Sequence, residues 1–187
     1  MAIKTFSSGE VLTAADTNTY LANSGLVYVA QTNVGTGVSA IDILGCFTST
    51  YDNYVVSVSN VGINVNGTAW YCTLLNGTSP STSQFFGNTF YVAVSAGGAL
   101  TNANYVNQAN AEVGSGTSNA KNGFTFEINQ PNLATKTYTN FNSCDDNYYR
   151  FGVAQQASST QWTGLRLSAG GATHTGGIVT VYGRRKA

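Results

Sequence analysis

The feature that most constrains this chain is a series of short strand-like segments that begins at Leu26 and continues along the sequence. In residues 54–59, apolar and hydroxyl side chains partly alternate, which is typical of a β-strand with one buried face. Turn sequences such as Asn66-Gly67 separate the segments. About ten short strands at this spacing predict an all-β sandwich or jelly roll. The predicted strands are residues 26–31, 40–47, 54–59, 69–75, 85–94, 123–129, 136–141, 148–153, 162–167 and 177–182.

One segment has the character of a helix, from about residue 13 to residue 23. Thr13 and Asp16 have the spacing of a capping box, and Gly25 suits the end of a helix. The sequence therefore predicts a jelly-roll-like β-sandwich in residues 26–187, preceded by a short N-terminal arm and helix in residues 1–25. A helix this short must dock on its own β-domain or on a neighbouring molecule, and both alternatives stay open.

The segment of residues 97–123 is polar and rich in small side chains. It is either a long loop or a pair of weak edge strands, and the sequence leaves both interpretations open.

Charged side chains make up only 9% of the chain, whereas typical soluble domains carry about 25%. The chain has 8 Lys and Arg against 8 Asp and Glu, so its net charge is zero. No basic surplus is present to neutralise phosphates, which argues against nucleic acid as a partner. Little repulsion would keep copies of the chain apart, and this favours a surface that is buried between subunits over an ordinary monomer.

The three cysteines, Cys46, Cys72 and Cys144, are odd in number and widely spaced. They predict reduced, buried thiols rather than a disulfide scaffold. The N-terminus has no apolar signal core, and no apolar run approaches the ~18 residues that cross a membrane. We therefore expect synthesis in the cytoplasm without membrane insertion.

The residues that could carry out chemistry are few. The single histidine, His174, lies in a polar turn without a metal or catalytic motif, so we expect a surface residue, no enzyme activity, no cofactor and no metal. Asp145-Asp146 could bind calcium, or could act with Glu112 or Glu127 in glycoside hydrolysis. Adjacent acids point to different sides of an extended chain, which favours a polar turn instead. A carbohydrate-active enzyme is thus the least favoured class.

Four aromatic residues are candidates for contact with sugar rings: Tyr105, Tyr148, Tyr149 and Trp162. Ring faces stack on carbohydrate, but in a β-sandwich such side chains more often pack in the core.

Three segments resemble parts of bacteriophage virion proteins. Residues 6–21, FSSGEVLTAADTNTYL, resemble the N-terminal segment of many tail-fibre and tail-associated proteins. Residues 47–56, FTSTYDNYVV, resemble the strand entry of phage jelly-roll fibre domains, and residues 178–184, IVTVYGR, resemble their closing strand. The resemblance implies a structural protein of the virion, a β-sandwich and commonly a homotrimer.

On this resemblance we expect a short tail-fibre-type subunit that attaches through its N-terminal arm. The expected attachment contacts are Phe6, Val11, Leu12, Asp16, Tyr20 and Leu21. The expected partners are copies of the chain itself and other virion proteins of the tail, baseplate or capsid, with a host-surface glycan as a further hypothesis. The alternative is a decoration protein that stabilises the exterior of the capsid.

Two local features of these motifs have a physical basis. Phe47, Tyr51 and Tyr54 predict a sheet corner that is closed by aromatic packing. Gly176-Gly177 predicts a tight turn directly before the last strand.

Overall fold

The computed structural model describes residues 7–11, 13, 25–94, 98–116 and 121–184. None of these residues is helical. Residues 14–24, which carry most of the predicted helix, lie outside the described residues, so that helix stays a prediction.

Fifteen strands make up most of the described chain. In chain order they are β1 Leu26–Asn33, β2 Thr36–Val38, β3 Ala40–Ile43, β4 Asn53–Ile63, β5 Thr68–Asn76, β6 Ser79–Pro80, β7 Phe85–Ala93, β8 Thr101–Gln108, β9 Ala111–Gly116, β10 Asn122–Asn129, β11 Thr137–Cys144, β12 Tyr148–Gln156, β13 Gly164–Ala169, β14 His174–Thr175 and β15 Ile178–Arg184.

The strands form two antiparallel sheets. The larger sheet has the order β1-β15-β4-β10-β11-β12-β7-β8, with the short β2 and β14 beside β4. The smaller sheet has the order β3-β13-β5-β6, with β9 also paired to β5. The all-β prediction is confirmed, and two sheets around one buried core are consistent with the predicted β-sandwich.

Strands from the first half of the chain pair with strands from the second half in reverse order. The pairs are β1 with β15, β3 with β13, β4 with β10, and β5 with β9. We call these eight strands the central sandwich. The remaining four long strands, β11, β12, β7 and β8, continue the larger sheet beyond β10, and we call them the extension.

The core lies between the two sheets and takes large side chains from both. Trp70 and Leu74 of β5 are fully buried, as are Ile128 of β10 and Val181 of β15. Burial of each such side chain stabilises the fold by about 1.5–3 kcal/mol. Strand β11 shows the period of two clearly, because buried and exposed residues alternate along its whole length.

The predicted aromatic corner is present between β3 and β4. The ring of Tyr54 lies 4.8 Å from that of Phe47 and 6.0 Å from that of Tyr51. The Tyr54 hydroxyl accepts a hydrogen bond from the Thr48 amide at 2.8 Å and donates one to the Thr48 carbonyl at 2.9 Å. These bonds fix the chain that enters β4.

The predicted tight turn before the last strand is also present. Gly177 has φ +98°, and a Cβ at this position would lie 2.5 Å from the carbonyl oxygen of Asn60. Only glycine fits this backbone conformation and this close approach. The turn lets β15 enter the sheet between β1 and β4.

The segment that the sequence left undecided contains two strands, β8 and β9. Strand β8 is the last strand of the larger sheet, and β9 pairs with β5 in the smaller one. The short strands β2, β6 and β14 were not predicted. The predicted strand at 162–167 begins only at Gly164, because Trp162 precedes it in an irregular segment.

The prediction of a surface position for His174 is wrong. The residue is fully buried, because its short strand β14 pairs with both β2 and β4. Its ring lies 4.7 Å from that of Trp70, and Nδ1 lies 2.8 Å from the carbonyl oxygen of Val38. A carbonyl can only accept, so Nδ1 carries the proton. Burial lowers the pKa of His174.

The prediction of three buried thiols is correct for two of them. Cys46 and Cys72 are buried in the core, and burial raises the pKa of Cys46 to about 12. Cys144 is exposed, because it ends β11 at a position where the alternation places the side chain outward.

Candidate functional site

A cavity of about 380 Å³ opens where the extension passes over the smaller sheet. We call it the tyrosine cleft. Strand β5 contributes one of its lining residues, and β8, β9 and the turn between them contribute the others. The lining residues are Tyr71, Ala103, Asn104, Tyr105, Gln108, Asn110 and Glu112.

Tyr105 is placed in the cleft by the strand next to it. Gly87 of β7 lies opposite Tyr105 of β8, and a Cβ at Gly87 would overlap the tyrosine ring. The missing side chain therefore lets the ring lie flat across β7. The Tyr105 hydroxyl donates to the carbonyl of Val153 at 3.4 Å. Burial raises the pKa of Tyr105, so the phenol is uncharged at neutral pH.

Glu112 lines the cleft and forms an ion pair with Arg150, which is not a lining residue. Arg150 Nη1 lies 2.5 Å from Glu112 Oε1, and the two side chains are only 11% and 12% exposed. The Arg150 guanidinium lies over two rings, 5.4 Å from the centre of Tyr91 and 4.9 Å from that of Tyr148. Attraction to the two rings and to the Glu112 carboxylate offsets the desolvation cost of burying the Arg150 guanidinium.

The surface of the cleft is therefore polar without net charge. Burial, and then the charge of Glu112, raise the pKa of Tyr71, so this second phenol is also neutral. The amides of Gln108 and Asn110 each offer a donor and an acceptor. Such a surface suits a neutral ligand with many hydroxyl groups better than an ion.

The four aromatic candidates from the sequence fall into different places. Tyr105 lines the cleft, and Tyr148 lies behind it against Arg150. Trp162 is 6% exposed and belongs to the core, beneath a hollow of about 180 Å³. Tyr149 is on the opposite face of β12. Of the four candidates, only Tyr105 lines the cleft.

Tyr149 belongs to a group of apolar side chains on the outer face of the extension, which also carries amide residues such as Asn88, Asn140 and Asn142. The stacked rings of Phe90 and Phe151, 5.3 Å apart, form its centre, and Tyr149 lies 5.8 Å from Phe151. Arg150 is the only charged residue in β7, β8, β11 and β12, and it lies on the inner face, where it pairs with Glu112. Exposed members of this apolar outer face are Phe86, Tyr138, Tyr149 and Val153, which are 38–59% exposed.

Most of the predicted attachment contacts lie outside the described residues, namely Phe6, Leu12, Asp16, Tyr20 and Leu21. Val11 is described and is 78% exposed. The attachment role stays a prediction.

Three of the four acids that the sequence singled out, Asp145, Glu112 and Glu127, are held by different partners, and Asp146 is exposed. Asp145 accepts hydrogen bonds from the amides of Asn147 and Tyr148, both at 2.7 Å, and from the Ser115 hydroxyl. This is the polar turn before β12 that the sequence favoured. Glu127 pairs with Arg184. Within the described ranges, no group of three or more His, Cys, Asp or Glu residues could hold a metal ion.

Sequence reasoning missed Tyr71, Asn104, Gln108, Asn110 and Arg150 as residues of one site. The signal for Asn104, Gln108 and Asn110 was the amide-rich segment 101–110, whereas Tyr71 and Arg150 lie outside it and had no such signal. Because the sequence left open whether that segment is a loop or a pair of strands, it did not indicate which of its side chains share a site.

No protein-family model, no curated protein and no solved structure matches this chain. Among the residues that the structure describes, no helix is long and apolar enough to cross a membrane.

Proposed function

We propose that this chain is a non-enzymatic structural subunit of a bacteriophage virion, of the short tail-fibre type, and that it works as a homo-oligomer. The proposal begins with the three segments that resemble phage tail-fibre proteins, in residues 6–21, 47–56 and 178–184. In this role the N-terminal arm attaches the subunit to other virion proteins, and the β-domain is presented outward, where it contacts the host surface.

The strand order supports the finer assignment of the sandwich as a jelly roll. A jelly roll is a double sheet made from two Greek keys, and it recurs in viral capsid and lectin domains. The reverse-order pairing of β1, β3, β4 and β5 with β15, β13, β10 and β9 is the order that this fold requires. The extension is then an addition to one of the two sheets.

The apolar outer face is the observation that carries the proposal of self-association. Monomeric proteins rarely expose contiguous apolar patches of large size. Because the face has no charged residue, a second copy of the chain can cover it without bringing like charges together. Strand β8 lies at the margin of this face, and no described strand pairs with its free edge. A second copy could also use that edge.

The mass of the purified protein in solution, measured by light scattering, tests the self-association. We expect about three times the chain mass of 19.6 kDa. Val153→Lys, at a position that is 59% exposed, introduces a charge at the centre of the face and should yield monomer. Ser59→Lys, on the exposed outer face of the central sandwich, is the matched control and should keep the wild-type mass. A wild-type monomer, or a Val153→Lys variant of unchanged mass, contradicts the proposed interface.

Removal of residues 1–25 tests the role in the virion. The truncated chain should keep its sandwich but should be absent from purified particles. Normal incorporation contradicts the role of the arm. The number of copies per particle then separates a tail subunit, present in few copies, from the alternative of a capsid decoration protein, present in many.

A further inference from the structure

The tyrosine cleft has the size and construction of a ligand site. Its volume of about 380 Å³ lies within the ~300–1,000 Å³ of typical small-molecule sites. Its walls are held in place by the ring of Tyr105 on Gly87 and by the buried pair of Glu112 and Arg150. A site whose walls are fixed before binding loses little conformational entropy when the ligand enters.

The charges in the cleft exclude most other ligands. Arg150 is occupied by Glu112 and covered by the rings of Tyr91 and Tyr148, so its guanidinium is not free to bind a phosphate or carboxylate. The charge of the Glu112 carboxylate is balanced by Arg150, so the cleft does not attract cations. A ligand must therefore gain its affinity from hydrogen bonds and ring contacts.

Sugar rings match the groups that remain. Their hydroxyls bind in pairs to amides, which donate and accept at neighbouring atoms, as Gln108 and Asn110 can do. Their apolar ring faces pack on phenol rings, which Tyr71 and Tyr105 supply. We propose that the tyrosine cleft binds a neutral, hydroxyl-rich glycan. This inference rests on the proposed virion role in one respect: that role makes the surface of the host cell the source of the glycan.

Screening of the full-length wild-type chain on an array of neutral and anionic oligosaccharides tests the inference. The neutral oligosaccharides that bind are then titrated by calorimetry. We expect binding to neutral oligosaccharides, and a loss of roughly tenfold or more in affinity for the double variant Gln108→Ala/Asn110→Ala, because the sugar hydroxyls then lose two hydrogen-bonding side chains. Tyr105→Phe keeps the ring and should lose less.

Asn102→Ala is the matched control, because Asn102 is an exposed amide on the same strand that does not line the cleft. It should bind as the wild type does, and all variants should unfold at the wild-type temperature. Binding of anionic oligosaccharides alone, an array without any bound neutral oligosaccharide, or a double variant as tight as the control overturns the inference.

The two proposals fail separately. If the chain is an oligomer and enters virions but binds no neutral glycan, the proposed structural role stands and the proposed glycan site is wrong. If the chain binds glycan through Gln108 and Asn110 but is monomeric and absent from particles, the proposed glycan site stands and the proposed virion role is wrong.

Discussion

The central sandwich and the extension are built from the same alternating strands, yet they use their two faces differently. In the central sandwich, the inner face is apolar and buried, and the outer face carries hydroxyl residues such as Ser57 and Thr180 with the ion pair of Glu127 and Arg184. In the extension, Arg150 on the inner face forms a buried ion pair with Glu112 of β9, and the outer face carries exposed apolar side chains and amides.

The difference follows from what each region has opposite it. The central strands face a second sheet over their full length, so apolar side chains placed inward are removed from water. The extension reaches past that sheet, and only β9 and β5 lie beneath it. Among the residues that the structure describes, none covers the exposed apolar side chains on its outer face, and a second copy is the cover that we propose.

The largest expected effect is in the central core. Trp70→Ala removes a fully buried side chain that packs 5.5 Å from Phe124, and it should lower the free energy of unfolding by about 4 kcal/mol. Tyr149→Ala on the apolar outer face should cost less than about 1 kcal/mol in the monomeric Val153→Lys background. Urea unfolding of both variants at one protein concentration measures the two losses of unfolding free energy. Equal losses would remove the distinction between the two regions.

The buried ion pair of Arg150 and Glu112, which joins the two sheets, should contribute more to stability than the exposed pair of Arg184 and Glu127. Glu112→Gln leaves the Arg150 guanidinium buried without its carboxylate and should cost about 3 kcal/mol of unfolding free energy. Glu127→Gln is the control, because its partner Arg184 is 50% exposed, and it should cost less than about 1 kcal/mol. Denaturant unfolding of the two variants measures the unfolding free energy that each substitution costs. A Glu112→Gln protein as stable as the control would show that the pair is not desolvated.

The buried His174 should make stability fall in mild acid. Its pKa is lower in the folded chain than the ordinary 6.5, so the unfolded chain binds more protons below that pH. The free energy of unfolding should therefore fall as the pH falls below 6.5, by at most about 1.4 kcal/mol per pH unit. His174→Gln should flatten this slope between pH 6.5 and 5.5. A slope that persists in the variant would assign the effect to other groups.

The smallest expected effect concerns the thiols. Cys144 on the outer face should react with a thiol reagent in the native protein, whereas Cys46 and Cys72 in the core should react only after unfolding. Cys144→Ser should abolish the fast reaction and change the unfolding free energy by less than about 0.5 kcal/mol. Reagent absorbance counts the reactive thiols. Fast reaction of more than one thiol would contradict the burial of the other two.

The sequence predicted the fold better than it predicted the site, for a physical reason. Strands such as β4 and β11 alternate because one face is buried, and this pattern is local in the sequence. The aromatic corner at Phe47 and Tyr54 is also local. The cleft depends on which strands become neighbours, since Arg150 and Glu112 are 38 residues apart. Nothing in either segment alone signals the pair.

The wrong prediction for His174 and the open alternatives for residues 97–123 have the same origin. His174 lies among glycines and threonines, which indicate a turn, but β2 and β4 cover it by pairing on either side. The amides of residues 101–110 have low strand propensity, yet they form an edge strand because β7 offers a partner. Both outcomes are decided by tertiary pairing, which overrides the local composition.

The position of Leu26 opposite Arg184 has a consequence for how far the molecule reaches. The described chain enters and leaves the larger sheet at one corner, on the edge strand β1, and β8 forms the opposite edge. Eight strands at about 4.8 Å spacing separate these edges by roughly 34 Å along the hydrogen-bonding direction. If residues 1–25 are the point of attachment, the width of the sheet separates the tyrosine cleft from the anchor. A tilt at the anchor would then displace the cleft in proportion to that width.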